Sequence, residues 1–249
     1  NNAYDFGPVI ASDGTDFVVI FEANLVNLTN GLVETRLAMS RYSSASGQFN
    51  SLPVLFATIE SPRQAARNAP SVEMDLVWIG DRYRLVRKLI GATSIYATDF
   101  DRNGSTLGSA TGLLNTVVAT SASGVQSEGT PSLAYDPVGN RTLLVFATGN
   151  GVVRRVLWTG TNLTPTLSDG DLGLEENVPP NTIGGNTIHA WFRSPVVGYN
   201  PVANGWVINK NTLRGEPNPI LGQIDYYVSI GLMLWHTDLS GRIIPDTIT

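Results

Sequence analysis

Four prolines spaced by just over sixty residues divide the chain into four similar segments, and this repetition constrains the fold more than any other feature. The prolines are Pro8, Pro70, Pro131 and Pro195, at intervals of 62, 61 and 64 residues. Each is followed by a short, mostly apolar run and, five residues on, by an aspartate or asparagine. These residues are Asp13, Asp75, Asp136 and Asn200. Repetition at a fixed period is typical of arrays in which each unit buries its apolar face against its neighbours.

The second segment shows the content of one unit most clearly. Its β-rich runs cover residues 71–75, 76–79, 83–89, 94–100 and 114–120. Gly80 and Asp81, between two of these runs, are typical of a tight hairpin turn. Corresponding runs in the other segments lie at 17–21, 35–42, 53–59, 142–147, 152–158, 205–208, 230–235 and 243–249. Several are apolar without alternation, which indicates strands that are covered on both faces.

Radial packing of sheets covers both faces of each sheet and leaves only short edges exposed. We therefore predict an all-β fold, a β-propeller with four blades of about four antiparallel strands and a blade period of about 62 residues. Residues 1–249 would form a single domain, with blades at about 8–69, 70–130, 131–194 and 195–249. The sequence leaves open whether four blades close alone or two chains combine into a larger ring.

Two stretches resemble the repeats of secreted bacterial β-propeller proteins. Residues 131–136 read Pro-Ser-Leu-Ala-Tyr-Asp ahead of the apolar run at 143–146, and residues 94–108 read Ser-Ile-Tyr-Ala-Thr-Asp-Phe, then Asp-Arg-Asn-Gly, and end in Leu-Gly. The resemblance covers all four repeats and is loose in the first and fourth. It implies a propeller fold and an extracellular or cell-surface location. It implies no activity, because such propellers serve as lectins, adhesins, surface-layer parts and enzyme appendages.

Composition excludes several classes of function. The chain has no cysteine, which excludes disulfides, thiolate metal sites and thiol nucleophiles. Its net charge of −5 argues against a nucleic-acid partner, which requires a basic surface. Charged residues make up only 15% of the chain, and no apolar run approaches the roughly 20 residues that span a bilayer. Because the chain begins at Asn1 rather than methionine, we expect an exported protein whose signal peptide has been removed.

Paired carboxylates are the strongest candidates for catalysis. A glycoside-active enzyme of propeller fold would place two of them about 5–5.5 Å or 6.5–9.5 Å apart. The candidates are Asp13, Glu22, Glu73, Asp75 and Asp136. Glu73 departs from the repeat, since the other segments have alanine or glycine there, and its structural interpretation is a pair with Arg84 or Arg87. The structural interpretation of the repeated Asp13, Asp75, Asp136 and Asn200 is a cap on the turn after the first strand.

Metal sites are weakly supported. Asp99, Asp101 and Asn103 match the opening half of a calcium loop, but Ala110 stands where the bidentate acid is expected. The two histidines, His189 and His236, are too few for a zinc site. We therefore expect no cofactor and no metal, with a weak calcium site as the alternative.

Aromatic residues are the remaining signal for binding. Trp78, Trp158 and Trp235 lie in apolar runs and are interpreted as core. Trp191 and His189 instead lie in the stretch 168–193, which is predicted to be the longest irregular segment. Long loops on a rigid scaffold often carry function, and an indole stacks well on the face of a sugar ring. Trp191 and His189 are therefore the predicted ligand-binding residues.

The sequence favours a secreted or cell-surface propeller that binds or assembles and does not catalyse. Its partner would be a glycan, as in a lectin-like protein, or other copies of itself in an adhesive homo-oligomer. The alternative is a glycoside-active enzyme of propeller fold that uses paired carboxylates.

Overall fold

The computed structural model describes residues 5–26, 33–49, 54–63, 72–89, 94–103, 106–107, 116–120, 130–147, 153–171, 181–183, 186–188, 190–217 and 224–237. All regular secondary structure in these ranges is β-strand, which confirms the all-β prediction. The described residues contain no helix with the length and apolarity needed to cross a membrane. The chain divides into two compact units, Asn1–Val118 with Thr161–Thr164, and Ala119–Gly160 with Pro165–Thr249.

Unit 1 contains two sheets that follow each other along the chain. The first consists of β1 (Asp5–Ser12), β2 (Phe17–Val26), β3 (Val33–Ser43), β4 (Gln48–Phe49) and β5 (Val54–Arg63). Its order is β1-β2-β3-β4, with β5 also paired to β3, and every pair is antiparallel. The second sheet consists of β6 (Val72–Trp78), β7 (Tyr83–Leu89), β8 (Ser94–Phe100), β9 (Thr106–Leu107) and β10 (Thr116–Thr120). Its order is β10-β8-β7-β6, with β9 paired to β8.

Unit 2 repeats this organisation. Its first sheet has the order β11 (Ser132–Asp136), β12 (Arg141–Ala147), β13 (Val153–Thr159) and β14 (Leu167–Asp171). A short hairpin follows, made of β15 (Asn181–Ile183) and β16 (Asn186–Ile188). The last described sheet has the order β17 (Ala190–Asn200), β18 (Gly205–Pro217) and β19 (Ile224–Thr237), all antiparallel.

Within each unit, the two main sheets share one apolar core. In unit 1, side chains of β2 and β3 such as Ile20 and Leu37 pack with Met74 and Leu85 of the second sheet. The first strands of the two sheets, β1 and β6, lie next to each other. In unit 2, a corresponding core joins β12 and β13 to Trp206 and neighbouring residues of β18, and β11 lies next to β17. Each sheet therefore buries apolar side chains against the next sheet in the same unit, as predicted for an array of repeats.

Within the described residues, the predicted strands agree with the structure except in two places. The sequence predicts separate strands at 71–75 and 76–79, but β6 runs without a break from Val72 to Trp78. Counted from the repeated proline, its hairpin turn therefore comes three residues later than in the third and fourth repeats and four residues later than in the first. The predicted irregular stretch 168–193 contains most of β14, the hairpin β15–β16 and the start of β17. The predicted closing strand at 243–249 lies outside the described residues.

The repeated aspartate or asparagine caps its turn in three of the four repeats. Asp13 Oδ1 accepts hydrogen bonds from the N–H groups of Thr15 and Asp16 at 2.9 and 2.8 Å. The side chains of Asp136 and Asn200 each accept two such bonds, at 2.9 to 3.1 Å. At Asp75 the prediction is wrong, because this residue lies inside β6 and its carboxylate accepts a hydrogen bond from the next N–H group, at 2.8 Å.

The first turns of the two sheets in unit 2 have the same construction. Residues 135–140 read Tyr-Asp-Pro-Val-Gly-Asn and residues 199–204 read Tyr-Asn-Pro-Val-Ala-Asn. In each, the tyrosine hydroxyl donates to the closing asparagine, at 3.2 Å for Asn140 and 3.3 Å for Asn204. Both asparagines have a left-handed backbone, with φ of 48° and 49°, a conformation that asparagine tolerates better than most residues.

Gly139→Ala is expected to lower the free energy of unfolding by about 1–3 kcal/mol, because the added methyl group overpacks the turn. A Cβ at Gly139 would lie 2.5 Å from Asp136 Oδ2 and would also collide with the Arg141 guanidinium. The equivalent turn at 199–204 has Ala203 in the position of Gly139. It accommodates this methyl group because Gly205 stands in the position of Arg141. Urea unfolding checks the prediction. The cost of Gly139→Ala is expected to be smaller in an Arg141→Ala background, and equal costs in both backgrounds contradict the proposed collision.

Candidate functional site

Of the two predicted ligand-binding residues, the structure describes only Trp191. Trp191 is the second residue of β17, opposite Leu213 of β18 in the register. His189 lies outside the described residues. A ligand site at Trp191 and His189 therefore stays a prediction.

Two of the carboxylates proposed for catalysis, Glu73 and Asp136, form ion pairs with cations on their own sheets. Glu73 Oε2 accepts a hydrogen bond from Lys88 Nζ at 2.7 Å, so the predicted pairing with Arg84 or Arg87 is wrong. Lys88 lies directly opposite Glu73 in the β6–β7 register, which explains the choice of partner. Asp136 Oδ2 lies 3.0 Å from Arg141 Nη2 in unit 2.

Asp136 is ionised at neutral pH. Burial raises the pKa of its carboxyl, but hydrogen bonds from the N–H groups of Gly139 and Val138, followed by those from the side chains of Tyr199 and Arg141, outweigh burial and lower the pKa below the ordinary 3.8.

The first oxygen ligand of the calcium alternative, Asp99, is paired with an arginine. Both oxygens of Asp99 accept hydrogen bonds from Arg84, from Nε and Nη2 at 2.8 Å each. Asp101 Oδ1 caps the following turn by accepting from the Asn103 N–H at 2.8 Å. Among the residues that the structure describes, no group of three or more histidine, aspartate or glutamate side chains could hold a metal ion.

A mixed group of aromatic and charged side chains lies at one end of unit 1, where the β1–β2, β3–β4 and β6–β7 turns meet the residues that directly follow β8. We call it the turn-end cluster, and its members are Asp13, Asp16, Arg41, Trp78, Tyr83 and Arg102. Two similar hairpin turns position it, closed by backbone hydrogen bonds from Asp13 to Asp16 at 3.2 Å and from Ile79 to Arg82 at 2.9 Å. Gly14 and Gly80 supply the left-handed residue that each turn needs, with φ of 87° and 97°.

Asp16 and Arg41 form the inner ion pair of the turn-end cluster. Arg41 donates to Asp16 Oδ2 from Nε at 3.0 Å and from Nη2, and the Ser44 N–H donates to Oδ1 at 2.9 Å. The backbone hydrogen bond from Ser44 and then the guanidinium of Arg41 lower the pKa of Asp16 below its ordinary value. The charge of Asp16 is therefore fully compensated inside the cluster.

Asp13 and Arg102 form a second, looser pair that joins the two sheets of unit 1. Arg102 Nε lies 2.9 Å from Asp13 Oδ2, yet this oxygen has no hydrogen bond of good geometry to any residue that the structure describes. The Asp13 side chain is only 1% exposed, whereas that of Arg102 is 49% exposed. The Arg102 guanidinium carbon lies over Trp78, 5.0 Å from the ring centroid.

Tyr83 closes the inner side of the cluster. Its ring packs edge-on against Trp78 at 4.8 Å and stacks on Phe100 at 5.5 Å. The residue is fully buried, and its hydroxyl has no hydrogen-bond partner among the described residues. Burial, followed by the negative charge of Asp13, raises the pKa of Tyr83 to about 12.

Sequence reasoning assigned Trp78 to the core and missed the cluster around it. Trp78 does contact the core of unit 1, but it is only partly buried. By register it occupies the position of Ser12, Asp136 and Asn200, the last strand residues before the equivalent turns. An indole where the other repeats have polar side chains is the signal that could have identified this end of the second sheet.

Next to the cluster, three aromatic side chains face each other across neighbouring strands. This aromatic row consists of Phe17, Tyr42 and Phe49, which are direct partners in the β2–β3–β4 register. The ring centroids are 6.3 Å apart for Phe17 and Tyr42, and 5.2 Å apart for Tyr42 and Phe49. Phe17 and Phe49 are 40% and 59% exposed, so the row presents apolar ring surface to solvent.

As the pH falls below about 4, the stability of the chain is expected to decrease. The pKa values of Asp16 and Asp136 lie below the ordinary 3.8 in the folded chain, so the unfolded chain takes up these protons first. The stabilisation is complete above the unfolded-state pKa and is lost as the pH falls through the folded-state values. Melting temperatures between pH 6 and pH 2 check this, and Asp136→Asn should flatten the slope. An unchanged slope in that variant contradicts the assignment.

Comparison with known proteins gives structural similarities only. The sequence matches no protein-family model and no curated protein. The structure is similar to a GH43B protein of the xyloglucan PUL of Bacteroides ovatus, with a TM-score of 0.46, 13% identity and coverage of 97% of this chain. It is also similar to the six-bladed β-propeller lectin of Aleuria aurantia, with a TM-score of 0.43, 13% identity and 93% coverage. The chain spans 42% of the first protein and 59% of the second.

Proposed function

We propose that the chain is a non-enzymatic glycan-binding module, secreted or displayed at the cell surface, and built as a single β-propeller in which the four repeats are the blades. The observation that carries the proposal is the turn-end cluster with the aromatic row beside it. Indole and phenyl faces suit the apolar face of a sugar ring, and buried carboxylate and hydroxyl groups suit its hydroxyls.

The state of the carboxylates favours binding over hydrolysis. Glycoside hydrolysis needs one carboxyl group that stays protonated, with a raised pKa, to donate to the leaving oxygen. Asp13, Glu73 and Asp136 each contact a cation instead. For Asp136 the pKa is lowered, which is the direction opposite to that required of a general acid.

The blade assignment is supported by the order of the sheets. Each repeated proline lies within or just before the first strand of a sheet, and inside each unit these first strands lie next to each other. In a propeller of this kind, the first strands would line the central axis. The mass of the chain in solution would tell whether four blades close alone or two chains combine.

A glycan array, read together with a screen for released reducing sugar, tests the function. We expect at least one class of glycan to bind without any release of sugar. Binding lost in Trp191→Ala, with the fold retained, would support the site predicted at Trp191 and His189. Sugar release that disappears in Glu73→Gln would establish the enzymatic alternative. Failure of the chain to bind any glycan would overturn the proposed function.

A further inference from the structure

Two buried polar atoms in the turn-end cluster have no hydrogen bond among the described residues. They are Asp13 Oδ2 and the hydroxyl oxygen of Tyr83. The Asp13 side chain is 1% exposed and Tyr83 is fully buried. Native proteins leave few buried polar atoms unsatisfied, and each such atom calls for an explanation. Both atoms belong to the surroundings of Trp78, because the Tyr83 ring packs against the indole and Arg102 lies over the indole with its Nε 2.9 Å from Asp13 Oδ2.

Arg102 covers this location but is held there weakly. Its guanidinium lies on the face of Trp78 and beside Asp13 Oδ2, without the alignment of a hydrogen bond. The side chain is half exposed, and Arg102 lies two residues after the end of β8. Cation–π contacts and ion pairs of half-exposed side chains contribute little, because water solvates the cation equally well elsewhere. Arg102 can therefore leave Trp78 at low cost when an incoming group donates hydrogen bonds to Asp13, because the buried carboxylate would otherwise lose its only counter-ion among the described residues.

We propose that Arg102 occupies, in the free protein, the place of one neutral pyranose unit. When the ligand binds, Arg102 moves away, the sugar ring stacks on the face of Trp78, and two ring hydroxyls form hydrogen bonds with Asp13 Oδ2 and the Tyr83 hydroxyl. This inference rests on the proposed glycan-binding function and gives it a site and a class of sugar.

The charges select a neutral sugar. Asp16 is compensated by Arg41, so displacement of Arg102 leaves the single negative charge of Asp13 inside the site. A carboxylate accepts hydrogen bonds from hydroxyls strongly and repels an acidic sugar. A hydroxyl both donates and accepts, so a neutral sugar can satisfy Asp13 and Tyr83 together.

Titration of the full chain with neutral methyl pyranosides, one uronic acid and arginine amide, followed by calorimetry, tests the inference. We expect a neutral pyranoside to bind and the uronic acid and arginine amide to bind more weakly. Tyr83→Phe removes only the hydroxyl and is expected to weaken binding about tenfold. Arg102→Ala is expected to bind at least as tightly as the parent chain, because the competing side chain is absent. Arg82→Ala, in the neighbouring turn, is the matched control and should bind unchanged.

The outcomes separate this inference from the proposed function. If the parent chain binds a pyranoside and Tyr83→Phe binds it equally well, glycan binding stands and the site is elsewhere. If Arg102→Ala abolishes binding, Arg102 is a direct contact and the displacement is wrong. Preferred binding of arginine amide would make this a cation site and would overturn the inference. Melting temperatures provide a second check, since Tyr83→Phe should be at least as stable as the parent if its hydroxyl is unsatisfied in the free protein.

Discussion

Replacement of Asp99 by asparagine is expected to lower the free energy of unfolding of unit 1 by about 3–5 kcal/mol, because it leaves a buried charge without its partner. The Arg84 and Asp99 side chains are 0% and 1% exposed and share two hydrogen bonds of 2.8 Å. Arg84 Nη2 also lies within hydrogen-bond distance of the carbonyl oxygens of Thr161 and Asn162, at 3.1 and 3.3 Å. Asparagine keeps the size of the side chain and removes the charge.

Urea unfolding followed by circular dichroism measures this loss. The exposed pair Arg82–Asp81, on the same hairpin, is the matched control, and Arg82→Ala is expected to cost only about 0–1 kcal/mol. The double variant Arg84→Met with Asp99→Leu should recover much of the stability, since apolar pairs often replace buried ion pairs without loss. A cost for Asp99→Asn no larger than that of the control would mean that water reaches the pair.

The strands of this chain could be predicted because their signals are local. Continuous apolar runs marked β2 and β12, and Gly80 with Asp81 marked the β6–β7 turn. The break placed after Asp75 was wrong for a physical reason. Alignment on Pro70 assumed equal strand lengths, whereas β6 continues for three residues beyond Asp75 before its turn. The cation that pairs with Glu73 is set by the register of β6 on β7, which places Lys88 opposite Glu73. The partner could therefore not be assigned before the full length of β6 was known.

The turn-end cluster could not be predicted, because its contacts cross from one repeat to the next. Asp13 lies after β1, whereas Arg102 lies after β8, and only the packing of the two sheets brings them together. The unsatisfied hydroxyl of Tyr83 follows from this packing as well, since the tyrosine ring belongs to the shared core. What the sequence did contain was Trp78, an indole at a position that the other repeats give to polar residues.

Trp206→Ala is expected to destabilise unit 2 by about 3–5 kcal/mol, the range found when a large aromatic side chain is removed from a packed core. Trp206 is fully buried, at the point where β18 packs on the sheet of β11 to β14. Its ring lies edge-on to Tyr199, with centroids 5.4 Å apart. Truncation removes this contact and leaves a cavity in the core that the two sheets share.

The hairpin that carries Trp206 also supplies its control. Val202 lies at the tip of the β17–β18 turn and is 95% exposed, so Val202→Ala is expected to change the unfolding free energy by less than about 0.5 kcal/mol. The loss of unfolding free energy for Trp206→Phe should lie between those for Trp206→Ala and Val202→Ala, because a smaller ring keeps part of the packing. Urea unfolding of the three variants gives the comparison. If Trp206→Ala costs no more than Val202→Ala, the two sheets of unit 2 do not share a packed core, and a blade-to-blade arrangement for this half of the chain must be abandoned.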